Sequence, residues 1–347
     1  MATTMIAHPA TSTHLALSTE LGRAGAAANR AAAAHTFANY QDRRSAQTLR
    51  RQRADLAAFV TYLAAGGVVI PDGANALMSD PVAWAGLSWG LVSGFVTWQL
   101  KEGYAIGSIN VRLATVKTYA KLAMQAKVID PTTYAEITTV TGYRHAEGRN
   151  LDKTRATTRT GRKKAAAVTL TRDQANQLMQ QPDTPQGRRD RLLVCLLLDH
   201  GLRVSELAAL QVDAMDRVAG MFTFYRSKVD KVQTHRMTLN TLRATLAYFA
   251  HDAPAHGALL IGSQKGGRMG GYMSARAITE RVRVLGARAG IQGLSAHDLR
   301  HYWATVAARS GTDLKSLQDG GGWSSPAMPM RYIESATIAN HRIKLNE

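Results

Sequence analysis

Residues 294–311 read LSAHDLRHYWATVAARSG, and the pattern of this stretch decides what surrounds it. Ser295 stands three residues before Asp298, the arrangement of a capping box, so a helix starts here. His297 and Arg300 lie three apart in its first turn and share a face, and His301 lies on that face too. The unpaired N–H groups and the positive dipole end at a helix start attract an anion. An imidazole and a guanidinium added there build a seat for a phosphate. The plain alternative is a surface helix with ordinary polar residues, and on this stretch alone the two readings weigh evenly.

Working outward, other segments bring residues of the same chemistry. Arg203 lies in GLRVSEL (201–207), at a helix start just after an apolar core helix. Its planar fork suits two phosphate oxygens, although a surface pair with Glu206 is the simpler reading. MFTFYR (221–226) alternates like a strand, and THRMTL (234–239) reads as its partner. Lys228 then sits at the hairpin tip with Lys231 close by. Spacing does not choose between them, and Lys228 is preferred because it directly follows the strand. Trp323 ends the run Asp319-Gly-Gly-Gly-Trp, read as a tight loop, and Tyr332 follows nine residues later in PMRYIES. Core packing for Trp323 and a buried structural role for Tyr332 are the bland alternatives. Pro326 suits a first helical turn, whereas Pro329 removes a backbone bond. The helix is therefore expected to restart near Pro329 and to leave Tyr332 on a mobile segment.

Composition narrows the partner. The 347 residues suggest about two domains, and 45% hydrophobic content describes a globular chain. Forty-three Lys+Arg against 25 Asp+Glu give +18, which points to a polyanion, most often nucleic acid, with a solvated basic surface or an acidic membrane as alternatives. A single cysteine, Cys195 in LLVCLLLD, excludes a disulfide within the chain and a cysteine-rich metal site. No carboxylate cluster suggests a metal, no GxxxxGK(S/T) loop suggests a nucleotide, and no cofactor is expected. Ala83–Leu100 is apolar but broken by glycine and serine, so a buried helix is the better reading than a bilayer span. No signal-peptide layout opens the chain, and a cytoplasmic protein is expected.

Four segments are expected. Residues 1–43, with AGAAANRAAAAH, form an N-terminal arm with no evident packing partner, a candidate for disorder. Residues 44–146 form a small helical domain. Its first helix places Leu49, Leu56, Phe59 and Leu63 on one stripe after a Ser45 cap, a second runs through Trp84–Leu100, and a third begins near Ser108. Residues 147–168 are a basic linker, with seven positive charges against Asp152 in 149–164, able to neutralise phosphates. Residues 169–347 form a second domain of helices around the hairpin.

HDLRH, GLRVSEL and GGW followed by a tyrosine, in this order with spacings of 3, 23 and 9 residues from His297 through Arg300 and Trp323 to Tyr332, resemble the motif set of the tyrosine recombinase (phage integrase) family. GGGWSSPAMPMRYIES (320–335) is similar to members with tryptophan where many relatives have histidine. The resemblance is strong over 188–335, weaker over 44–146, and absent over 1–42. It implies a mainly α, two-domain DNA clamp: a helical core-binding domain plus a mainly helical catalytic domain with a small antiparallel β-sheet. It implies that Tyr332 attacks a DNA phosphate to form a 3′-phosphotyrosine link. Arg203 and Arg300 would hold the non-bridging oxygens, His297 would act as base or phosphate ligand, and Lys228 would protonate the leaving oxygen. Trp323 would donate its N–H, and Glu206 would orient Arg203. The implied partner is double-stranded DNA with inverted-repeat sites, bound by a homo-tetramer across two duplexes, each chain passing a segment near Ala336–Leu345 to its neighbour. A silent DNA-binding regulator and a type IB topoisomerase-like enzyme are the rival readings.

Overall fold

The computed structural model describes residues 10–160, 167–264 and 268–336. It is mainly helical with small antiparallel sheets, and the chain divides into two compact units, Met1–Ala165 and Ala166–Glu347.

The described part of the first unit is helical: α1 (Ala10–Asp42), α2 (Ala46–Ala65), α3 (Ala74–Ser79), α4 (Trp89–Lys101), α5 (Ile106–Gln125), α6 (Pro131–Thr139) and α7 (His145–Asp152). The stripe on α2 buries Leu56, Phe59 and Leu63, and the Ser45 hydroxyl accepts from the Thr48 N–H as the cap. Phe59 packs among Trp84, Phe95 and Tyr62. The segment expected as one helix through Trp84–Leu100 is two pieces. A 3-10 turn over Pro81–Trp84 ends before Gly86, which takes φ +80°, and Ser88 caps a new helix. Among the described residues no helix is long and apolar enough to cross a membrane.

Two segments differ from expectation. The arm read over 1–43 is helical from Ala10, and its end belongs to the core: Phe37 is buried and meets Tyr119 edge-on at 5.8 Å. Two aromatics that follow an alanine tract, Phe37 and Tyr40, carry the contacts with Tyr119, too little periodicity to see. The linker read over 147–168 is partly fastened. The α7 helix runs to Asp152, Arg155 donates to the carbonyls of Leu100 (3.2 Å) and Tyr104 (3.0 Å), and the Thr160 N–H donates to Gly103 O (2.9 Å). Arg162, Lys163 and Lys164 lie outside the described residues.

The second unit holds α8 (Arg172–Met179), α9 (Pro185–Leu198), α10 (Val204–Ala209), β1 (Met215–Asp216), β2 (Met221–Arg226) and β3 (Lys231–Arg236). It continues through α11 (Leu239–His251), β4 (Ile261–Ser263), β5 (Met269–Tyr272), α12 (Ala275–Arg288), α13 (Ala296–Arg309), α14 (Leu314–Gly321) and α15 (Ala327–Ala336). The core is built on α9, whose residues Leu192–Leu198 are all buried against α11, α13 and α8. Each such aliphatic side chain contributes about 1.5–3 kcal/mol. The sheet runs β1-β2-β3, antiparallel, with Thr223 opposite Thr234 and Arg226 opposite Lys231. The second strand thus begins earlier than the sequence suggested, and Met237 already leads into α11. The β4–β5 hairpin was not expected, because Gly262, Gly270 and Gly271 erase the strand pattern.

Candidate active site

The start of α13 separates scaffold from site. Ser295 N and Oγ donate to Asp298 Oδ2 at 2.8 and 2.6 Å, and the Val168 N–H donates to Oδ1 at 2.9 Å. Asp298 is thus held in the frame, and Leu299 is fully buried in the core. Of the HDLRH motif this leaves His297, Arg300 and His301 to line the site.

Three arginines converge on the end of α14. Helix ends leave carbonyls without partners, with partial negative charge. Here they meet guanidiniums. Arg203 Nη2 donates to Gly322 O at 2.7 Å, Arg300 Nη2 to Gly321 O at 2.5 Å, and Arg226 Nη2 to Gly320 O at 2.7 Å. Gln233 Nε2 supplies the fourth donor, to Asp319 O at 2.8 Å. The run read as a tight loop is therefore helical through Gly321, with Gly322 as a left-handed cap at φ +59°. A Cβ at Gly322 would sit 2.3 Å from Arg226 Cδ, and one at Gly321 would lie 2.0 Å from the Trp323 ring. The glycines let the arginines and the indole approach the chain.

One carboxylate serves this cluster. Glu206, almost fully buried, accepts from Arg203 Nη1 (2.7 Å), the Arg203 N–H (2.8 Å) and Arg226 Nη1 (2.8 Å). The surface pair of the simpler reading is thus a buried one. Arg300, 4% exposed, has no carboxylate partner among the described residues; its contacts are the carbonyls of Gly201 and Gly321 and the face of Trp323, 4.7 Å away. Burial, then the neighbouring charge of Arg203, pushes its pKa down to about 9. A guanidinium has five N–H donors, and neither Arg203 nor Arg300 uses them all on these partners. The cluster is short of negative charge and has donors left for an anion.

Tyr332 lies on α15, a continuous helix from Ala327. Pro329 falls in its first turn, where no N–H is needed, so the expected restart does not occur. The tyrosine is 8% exposed and packs with Trp323, Trp303, Ala304 and Leu317. Its hydroxyl lies 2.6 Å from His301 Nδ1, and His301 Nε2 lies 2.9 Å from His297 Nε2. Burial raises the phenol pKa, and the charge of Arg300 opposes that rise.

The structure thus gathers Arg203, Arg300, Trp323 and Tyr332, with His297 joined through His301. Lys228 is not tied into this network: it is exposed in the turn Ser227–Asp230 and forms no ion pair among the described residues. Lys231 starts β3 and lies near enough to Asp319 to help lower its carboxyl pKa, after Lys315. Two members carried no assigned role in the sequence. His301 shared the right face, and Arg226 stood at an inward position of the alternating strand MFTFYR, where a charge is out of place. Among the described residues no group of three or more His, Cys, Asp or Glu is placed to hold a metal ion. Residues 337–347, which include most of the segment expected to reach a neighbour, lie outside the described residues.

Comparison with known proteins gives consistent results. Residues 168–338 match the phage integrase family. The chain is 33% identical over 168 residues to tyrosine recombinase XerC of Azotobacter vinelandii, covering 47% of this chain and 54% of the relative. It is 36% identical over 169 residues to tyrosine recombinase XerC of Pseudomonas aeruginosa, with the same coverage of 47% and 54%. The chain thus spans about half the length of these curated relatives. Among solved structures it resembles the Tn1549 transposon integrase in complex with transposon right end DNA (TM-score 0.58, 16% identity, 86% of this chain and 94% of that one). It also resembles a lambda integrase dimer bound to a COC′ core site (TM-score 0.56, 16% identity, 85% and 94%). At these identities the structural likeness is one of fold.

Proposed function

We propose that the protein is a site-specific tyrosine recombinase acting on double-stranded DNA, a reading supported by the match of residues 168–338 to the phage integrase family. The observation that carries this reading is Arg300: a buried guanidinium without a carboxylate partner among the described residues, in the same cluster as a tyrosine hydroxyl hydrogen-bonded to an imidazole. In this reading a DNA phosphate supplies the missing anion. The Tyr332 oxygen attacks phosphorus, the bond to the 5′-oxygen breaks, and a 3′-phosphotyrosine link holds the strand until a 5′-hydroxyl reverses the step. Arg203 and Arg300 stabilise charge building on the non-bridging oxygens, an effect typically worth several kcal/mol. Trp323 packs the site and offers its N–H, and Lys228 swings from the turn to protonate the leaving oxygen. The covalent link keeps the bond energy, so no nucleotide is consumed. Inverted-repeat sites, a homo-tetramer across two duplexes and a cytoplasmic setting complete the proposal.

Covalent trapping in cells tests it. Wild type and Tyr332→Phe are expressed, denatured in strong detergent and purified, and any attached DNA is sequenced. Ends mapping to one inverted-repeat site, with the wild type alone, are the expected result. Absence of an adduct from either protein favours a silent DNA-binding regulator. Relaxation of supercoils without strand exchange favours a topoisomerase-like enzyme. An adduct that survives Tyr332→Phe removes Tyr332 as the nucleophile.

A further inference from the structure

Resemblance gives the role of base to His297, but the nitrogen beside the phenol oxygen is on another residue. On α13, His297 and His301 are one turn apart on one face, with ring centroids 4.2 Å apart. Three groups stand in line: the Tyr332 hydroxyl, His301 with Nδ1 at 2.6 Å, and His297 with Nε2 at 2.9 Å from His301 Nε2. His301 is half-buried, while His297 is exposed. We propose that His301 is a catalytic residue, the direct acceptor of the Tyr332 proton, and that His297 is the outer member of a two-histidine relay that passes charge to solvent. The inference rests on the recombinase reading and deepens it.

The tautomers follow from the chemistry. A phenol that gives up its proton donates to His301 Nδ1, so neutral His301 carries its hydrogen on Nε2 and points it at His297 Nε2. The hydrogen of neutral His297 is then on Nδ1. As the Tyr332 oxygen bonds to phosphorus, its proton moves to His301 Nδ1 and the 5′-oxygen leaves with the bonding pair. The imidazolium is stabilised by donating from Nε2 to His297. Rejoining reverses each transfer. Among the described residues, the titratable and charged groups that bear on the phenol are His301, His297 behind it, and Arg300, whose charge favours the phenolate. A tyrosine with an ordinary pKa of about 10 needs such help near neutral pH, and a positioned base typically gives about 10²–10⁴-fold.

Two readouts test the relay, one of them without DNA. In full-length protein labelled at the tyrosine Cζ with carbon-13, the Tyr332 resonance is identified by its loss in Tyr332→Phe. In the wild type this resonance is expected to show an inflection in the imidazole range, lost in both His301→Ala and His301→Gln. A Tyr332 signal that neither variant alters overturns the proposal, whether or not the protein cuts DNA. The second readout is single-turnover adduct formation against pH, on a nicked duplex carrying the site recovered by trapping. His301→Ala is expected to fall by about 100-fold, to lose the rise in rate across the imidazole range, and to recover about tenfold with added imidazole. His301→Gln keeps an acceptor for the hydroxyl yet stays slow. A rate within about threefold of wild type in either variant overturns the proposal, as does a loss with an unchanged pH profile and no imidazole rescue. An adduct missing from the wild type is a failure of the recombinase reading, and the spectroscopic arm then decides the relay by itself.

Discussion

Arg226→Met removes the arginine that no motif contains while keeping most of its volume. Arg226 is fully buried and gives one bond each to Glu206 Oε2 (2.8 Å) and Gly320 O (2.7 Å), a weaker one to Gly321 O (3.3 Å) and another to Gln233 Oε1. Losing the charge-assisted bond costs about 1.5–3 kcal/mol, and a carbonyl left buried without a donor costs about 1–3 kcal/mol more. Two terms offset these losses. Burial already lowers the pKa of Arg226, so its removal recovers desolvation, and Arg300 loses a like-charged neighbour. Glu206 keeps both bonds from Arg203, and Gly321 O keeps Arg300. The net is a destabilisation of about 3 kcal/mol, near the lower end of what breaking a buried ion pair costs. Hydrogen exchange of the α9 amides in the full chain reports opening of the second unit. They should exchange roughly 150-fold faster in the variant, since about 1.4 kcal/mol is tenfold. An acceleration under about fivefold would refute the view that the arginines hold the end of α14 in place.

Further outcomes follow from other parts of the structure. Gly322→Ala puts a Cβ 2.3 Å from Arg226 Cδ at φ +59°, so a loss of about 2 kcal/mol is expected in the same exchange measurement, together with slower adduct formation. Phe37→Ala should destabilise the first unit by about 3 kcal/mol in urea unfolding, whereas no change would mean that α1 is not part of that core. Burial lowers His200 to about 3 and His235 to about 4, from an ordinary 6.5. Both folded values lie under the unfolded one, so the unfolded chain binds more protons as pH falls below 6.5, and stability is lost in that direction by up to about 1.4 kcal/mol per pH unit for each ring. Asp199, raised by burial, acts with opposite sign, so the melting temperature is expected to fall between about pH 6.5 and 5 in the wild type and to fall less in His200→Gln, and an equal fall in both would count against the burial of His200.

What the sequence made legible follows from how local its causes are. The stripe Leu56, Phe59, Leu63 and the caps at Ser45 and Ser295 act within a turn or two of helix, and the structure places each where its pattern put it. MFTFYR shows its inward face, Phe222, Phe224 and Arg226, by alternation alone. Pro329 misled because a proline is harmless in a first turn, and α15 starts at Ala327, just after the Pro326 that suited a helix start, so both prolines fall before any N–H is needed. The helical end at Gly320 and Gly321 was hidden because glycine has poor intrinsic helix propensity, and what holds it is a set of arginines from three other elements. His301 was visible on the right face, but its hydrogen bond depends on where α15 brings Tyr332, thirty-one residues further along the chain.

The arrangement of guanidiniums on the carbonyls of α14 has a consequence for how such a chain tolerates mutation. The groups best suited to grip a phosphate are also fasteners of the fold around it. Tyr332, by contrast, can lose its single oxygen and keep its ring among Trp323, Ala304 and Leu317. In a random library sorted for variants that occupy DNA without cutting it, survivors should cluster at Tyr332 and His301, while Arg203, Arg226 and Arg300 stay as they are. Silence is reached by dropping an atom at the nucleophile, and the rest of the site would persist in the descendants as a relic that still folds.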